Sequence, residues 1–144
     1  MKTLMRRALP LLLLLAAVIP AAAQTQQQLY TDTATIASGQ SLSAAVDLRF
    51  RQLIGVIMPS TWTDANVTFQ VSVGGTNFFD LYSFDGTEFT ITVAGTPRYF
   101  AIDPFEFLMV RYVKVRSGTG GSPVTQAGAR SITLVTRAVY FGRY

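Results

Sequence analysis

The run Val67-Thr68-Phe69-Gln70-Val71-Ser72-Val73, followed at once by Gly74-Gly75, constrains the fold more than any other stretch of the chain. Alternation at period two puts Val67, Phe69, Val71 and Val73 on one side and Thr68, Gln70 and Ser72 on the other, the pattern of a half-buried strand. The glycine pair supplies the positive backbone angles of a tight hairpin, so Asn77 to Ser83 is expected to return as the partner strand. The device then recurs. Asp85-Gly86 precedes Phe89, Ile91 and Val93, which alternate with Glu88, Thr90 and Thr92. Ala94-Gly95-Thr96-Pro97 turns the chain into a strand over Arg98 to Ile102, which Asp103-Pro104 closes.

Strands continue on either side. Thr31 to Ala37 alternates loosely before Ser38-Gly39-Gln40, and Leu42, Ala44 and Val46 sit at period two. Phe50 to Met58 carries apolar residues at both parities, which predicts a strand buried on both faces or one in the middle of a sandwich, ended by Pro59. In Arg111 to Arg116, Tyr112, Lys114 and Arg116 share one face, and Arg111, Val113 and Val115 share the other. Ser131 to Val139 alternates in the same way. Ser117-Gly118-Thr119-Gly120-Gly121-Ser122-Pro123 between them is rich enough in glycine and serine to predict a mobile loop. Phe105 to Met109 has room for one short helical turn. Eight or nine short strands with regular turn signals predict an all-β, antiparallel two-sheet sandwich of jelly-roll type.

The first residues read differently. Lys2, Arg6 and Arg7 lead into the apolar stretch Ala8 to Ile19 and then Ala21-Ala22-Ala23, the build of a secretory signal peptide. With Pro10 and Pro20 interrupting it, the apolar run falls short of the roughly 20 residues a membrane span needs. Cleavage after Ala23 is expected, giving export to the periplasm or the cell exterior with no stable membrane span; a retained anchor is the alternative. No cysteine follows the run to carry a lipid. The organisation expected is thus a signal peptide over 1–23, a polar linker over 24–30 and a single sandwich domain over 31–144.

Loss of the signal changes the charge argument. Of 12 Lys+Arg, Lys2, Arg6 and Arg7 leave with it, so nine cations face the same 8 Asp+Glu. The nine are spread through predicted strands, which argues against nucleic-acid binding. The chain contains no histidine and no cysteine, which excludes Ser-His-Asp and Cys-His catalysis, His- or Cys-ligated zinc and a disulfide scaffold. A carboxylate pair or a lysine base would remain for catalysis, but Asp64, Asp80, Asp85, Glu88, Asp103 and Glu106 all fall at predicted turns or strand ends, where acids cap turns. A non-enzymatic protein is expected. Asp80, Asp85 and Glu88 flank one hairpin and could offer oxygen ligands to Ca2+, although they lack the dense spacing of a dedicated calcium loop. No other cofactor is implied.

The aromatic residues supply the remaining candidates. Trp62 lies in the polar stretch Ser60 to Asn66, where it could stack on a sugar ring or fold back over the end of the core, and the second is the commoner use of so large a side chain. If the chain is a secreted carbohydrate- or cell-surface-binding domain, Trp62, Asp80, Asp85, Ser117 and Thr119 would form its ligand-binding edge. Tyr140, Phe141, Arg143 and Tyr144 follow the last strand and have no evident place in a monomer's core, so packing against a neighbouring subunit is expected, with a frayed end as the alternative. Asn66-Val67-Thr68 fits the N-glycosylation pattern, which is common by chance.

Two resemblances sharpen this reading. The run from Val67 to Phe78, with Arg111 to Arg116 and Ala129 to Leu134, is similar to the strand, hairpin and closing-strand pattern of discoidin-like, galactose-binding-like domains. That implies a β-sandwich and, as one function, a secreted carbohydrate- or cell-surface-binding domain. Residues Thr35 to Val139, with Ile36 to Leu48, Met58-Pro59 before Trp62, Val115 to Thr119 and Gln126-Ala127, resemble short proteins encoded among the structural genes of tailed bacteriophages and prophages. This second resemblance implies a structural or binding module of a virion (head decoration, neck or tail) or a virion-derived surface protein. Its partners would be copies of itself or capsid and tail proteins. The export signal is the departure from that pattern, because such particles assemble in the cytoplasm.

Overall fold

The structure, a computed structural model, describes residues 28–139. The expected signal peptide and the Tyr140 to Tyr144 segment lie outside the described residues. Eight strands succeed one another: β1 (Leu29–Ile36), β2 (Val46–Asp47), β3 (Arg51–Ile57), β4 (Val67–Ser72), β5 (Phe79–Asp80), β6 (Tyr99–Ala101), β7 (Tyr112–Ser117) and β8 (Arg130–Ala138). One 3-10 turn, Pro104–Phe107, precedes β7, with Asp103 capping it by accepting from the Phe105 amide.

All ladders are antiparallel, and the two sheets have the orders β1-β8-β3-β6 and β2-β7-β4-β5. Four of the pairings, β1 with β8, β2 with β7, β3 with β6 and β4 with β5, are those of one long two-stranded ribbon folded at the β4–β5 hairpin. Rolling that ribbon closes it through the β3–β8 and β4–β7 ladders. This is jelly-roll connectivity, and the all-β sandwich expected from the turn spacing is the fold observed.

The core lies between the sheets. Leu53, Val56, Ile132 and Leu134 of one sheet face Val67, Phe69, Val113 and Val115 of the other, all buried. Phe69, Phe89 and Phe107 meet edge to face or tilted, with centroids 5.1 to 5.9 Å apart, geometries that aromatic quadrupoles favour.

Several local expectations change for physical reasons. The mixed parity of β3 comes from a bulge: the register slips between Leu53 and Gly55, so Leu53 and Val56 both point inward although three positions apart. In β4 the alternation holds for Val67 and Phe69, but Val73 is 77% exposed, because the strand stops at Ser72, whose hydroxyl accepts from the Gly75 amide and turns the chain. Of the glycine pair only Gly75 takes a positive φ, 82°. The stretch from Glu88 to Val93 keeps its alternation, with Ile91 and Val93 buried. It nevertheless joins the sheet only through the single bridges Tyr82↔Glu88 and Val67↔Ile91, since β5, two residues long, offers no extended neighbour. Leu29 and Tyr30, expected in the linker, already pair with Arg137 and Thr136 of β8.

Following the strand directions, the segments 37–45, 58–66, 81–98 and 118–129 gather at one end of the sandwich. The opposite end holds 48–50, 73–78 and 102–111, together with the start of β1 and the exit of β8.

Candidate interaction surface

At the first end a group of polar side chains is bonded within the fold. Gln126 is fully buried; its Oε1 accepts from the Thr63 amide at 2.8 Å, and its Nε2 donates to the Thr63 carbonyl at 3.2 Å and to Ser117 Oγ at 2.7 Å. Gln126 thereby ties the segment before β4 to the one after β7. Ser117 is sealed beneath it with no exposure, so the expectation that Ser117 lines a ligand edge is corrected. Trp62 packs against the core from the same segment, and its indole N–H donates to the Ala65 carbonyl at 2.9 Å. That is the core-covering role.

The glycine-rich loop is held by hydrogen bonds where mobility was expected. The Gly118 amide donates to the Asn66 carbonyl at 2.7 Å, and Thr119 and Ser122 exchange backbone bonds across a tight turn. Thr119 Oγ1 accepts from the Ser122 amide, so Thr119 serves its own turn. A side chain at Gly118, with φ 87°, would run into the backbone of Ser122 to Val124.

Arg116 is the feature that alternation could not reveal. It sits on the outer face of β7 with its side chain only 9% exposed, bonded through Nη2 to Asp80 at 2.5 Å and through Nη1 to Glu88 at 3.2 Å. Glu88 also accepts from the Gly120 amide at 2.8 Å, and Asp80 from Gln70 Nε2 at 3.0 Å. The Arg116 guanidinium holds the Asp80 carboxyl below the usual carboxylate range, against the opposing effect of burial. Asp85 turns elsewhere: it accepts from the amide and hydroxyl of Thr87 at 2.9 and 2.7 Å, and the Thr87 amide chiefly lowers its pKa. The calcium reading of Asp80, Asp85 and Glu88 is therefore corrected, because two of the acids clasp a guanidinium and the third closes a turn. Among the described residues no group of three or more acids, histidines or cysteines is placed to hold a metal ion.

The opposite end has another character. Arg49, Phe50, Arg51, Gln52, Val73, Phe107 to Arg111 and Val139 enclose a mainly apolar groove of about 320 Å3. Phe50, Val73, Leu108 and Met109 on its rim are exposed, Phe50 by 82%. Asp47 frames it by accepting from the Arg49 amide at 2.7 Å and from the Arg111 guanidinium at 3.3 and 3.4 Å. The Arg111 contact, followed by the Arg49 amide, lowers the Asp47 pKa. On the other side Arg51 pairs with Asp32 at 2.6 Å and stacks on Tyr30. Among the described residues the two non-glycine positions with positive φ, Arg49 at 60° and Met109 at 62°, both belong to this groove wall. Backbone of that kind costs a side-chain-bearing residue about 1–2 kcal/mol.

The structure does not assemble the sequence-derived ligand edge as an open site. Trp62, Ser117 and Thr119 lie at the first end in structural roles, Asp80 lies under Arg116, and Asp85 caps its hairpin turn. The groove went unforeseen because its walls come from four separated segments, each an ordinary loop in sequence. Its one legible signal was the set of large apolar residues in otherwise turn-like stretches: Phe50, Val73, Leu108 and Met109. Tyr140, Phe141, Arg143 and Tyr144 lie outside the described residues, but Val139, which precedes them, forms part of the groove wall. No protein-family model, no curated protein and no solved structure matches the chain.

Proposed function

We propose that the protein is a non-enzymatic structural module that acts through repeated protein contacts, exported by its signal-like start and working in a virion or on a virion-derived surface. The observation that supports this is the groove end of the sandwich, where Phe50, Val73, Leu108 and Met109 project into solvent around an apolar cleft. Apolar patches rimmed by polar groups are what protein partners cover. Covering one such side chain fully is worth about 1.5–3 kcal/mol, so a contact that buries several is strong enough to hold an assembly.

The test is to express the chain from Met1, determine the intact mass, and follow the product by sedimentation alone and with particles. Association with particles, or a defined oligomer, is the expected result. A free monomer with no affinity for particles overturns the reading.

A further inference from the structure

The groove has a matching segment in the same chain. β8 ends at Ala138, and the Val139 amide donates to the Phe50 carbonyl at 3.3 Å, so the chain leaves the described residues from the groove wall itself. Its last five residues are Tyr140-Phe141-Gly142-Arg143-Tyr144, of which three are aromatic. Extended, five residues reach about 17 Å, enough to run the length of a cleft of this size.

We propose that this segment seats in the groove of a second copy of the chain, and that the groove and the tail together form the joint through which copies associate. The inference rests on the structural role proposed for the protein and names its partner. Two features favour a second copy over the chain's own groove. Between Val139 and the aromatic pair Tyr140-Phe141 the sequence offers no residue suited to a tight reversal, the first being Gly142. The exit of β8, from which the tail continues, and the acceptor groove also lie at one end of one protomer. A two-fold rotation therefore brings each tail to the other's groove, which closes as a dimer without leaving an open, growing edge. The apolar rim of Phe50, Val73, Leu108 and Met109 supplies the contact around each seat, and aromatic side chains are the usual anchors of such joints.

The test uses two variants of the 24–144 chain. Tyr140→Ser with Phe141→Ser removes the anchors but leaves the groove; Val73→Arg with Met109→Glu spoils the groove at two exposed positions but leaves the tail. Thermal melting matched to the parent shows that both fold. By sedimentation equilibrium the parent is expected to dimerise, and each variant alone to associate at least about thirtyfold more weakly, the effect of losing anchor residues. Mixing the two variants should restore association, because one intact tail then meets one intact groove.

Failure of the mixture to associate, with a monomeric parent in which removal of the tail raises binding of an apolar dye, shows the tail seated in its own groove and overturns the inference. Association that survives in both variants overturns the joint yet leaves the structural role standing. A chain that neither self-associates nor sediments with particles overturns both.

Discussion

Replacing Arg116 by methionine tests the account of the first end most directly. The change keeps much of the side chain's apolar bulk and removes the guanidinium, so Asp80 and Glu88, with side chains 29% and 16% exposed, lose their shared partner. Removing one member of a buried ion pair costs about 3–5 kcal/mol. Water still reaches these carboxylates in part, which lowers the expected loss to about 2–4 kcal/mol at neutral pH. The pH dependence carries the sharper prediction. Arg116 depresses the folded-state pKa of Asp80, so this contribution is fully present above the unfolded value of about 3.9 and fades as pH falls through the lower folded one. In the variant Asp80 keeps Gln70 but loses the guanidinium that holds its pKa down. The gap between parent and variant should therefore be widest at pH 7 and shrink on acidification. Urea unfolding followed by Trp62, the only tryptophan, measures it. A loss under about 1 kcal/mol, or a gap that stays constant between about pH 5 and pH 2, refutes the claim that Arg116 is held mainly by these two acids.

Gln126→Met preserves volume but strips three side-chain hydrogen bonds from Thr63 and Ser117; thermal melting should show a loss of about 2–4 kcal/mol from the groups left unpaired, and a neutral result would deny the side chain its tying role. Gly118→Ala meets the backbone at a positive φ and should cost at least about 2 kcal/mol. Gly55→Ala meets only the far end of the half-exposed Tyr99 side chain, which can swing aside, and should cost less than about 1 kcal/mol; equal losses in the two variants would contradict the distinction.

The strands were legible because each is bounded by residues with strong backbone preferences. Asp85-Gly86 and Asp103-Pro104 mark turns that the structure keeps, and Val113 and Val115 take the buried face their alternation assigned. Alternation failed where a long-range partner decided the outcome. Arg116 reads as an outward-facing cation, and only the return of the chain 36 residues upstream at Asp80 and 28 upstream at Glu88 encloses it. The bulge at β3 has a related cause: it is defined by the register with β8, and its local trace is the mixed apolar parity of the strand, which a strand buried on both faces would also give. Residue types that often serve ligands point to an edge here, but the Trp62 N–H donates to the Ala65 carbonyl of its own segment and Ser117 Oγ accepts from the Gln126 side-chain amide. A polar residue in a loop is open to a ligand only after its own fold has finished with it.

That asymmetry between the two ends follows from how the ribbon rolls. Both ends must close a core about 10 Å thick, the usual spacing of packed sheets, with loops. At the first end the loops bring hydrogen-bonding side chains: Gln126 bonds Thr63 and Ser117, and the Trp62 indole N–H bonds the Ala65 carbonyl. At the second end Asp47 and Arg51 brace the edges of the groove, and Phe50, Val73, Leu108 and Met109 leave an exposed apolar rim around it. No internal hydrogen bond can compensate an apolar wall; only another apolar surface can. Because β1 and β8 are the first and last strands of the ribbon, the same folding rule brings the start of β1 and the exit of β8 to that unfinished end. The exit of β8, after which the sequence continues into Tyr140 and Phe141, therefore lies beside the groove as a consequence of the topology.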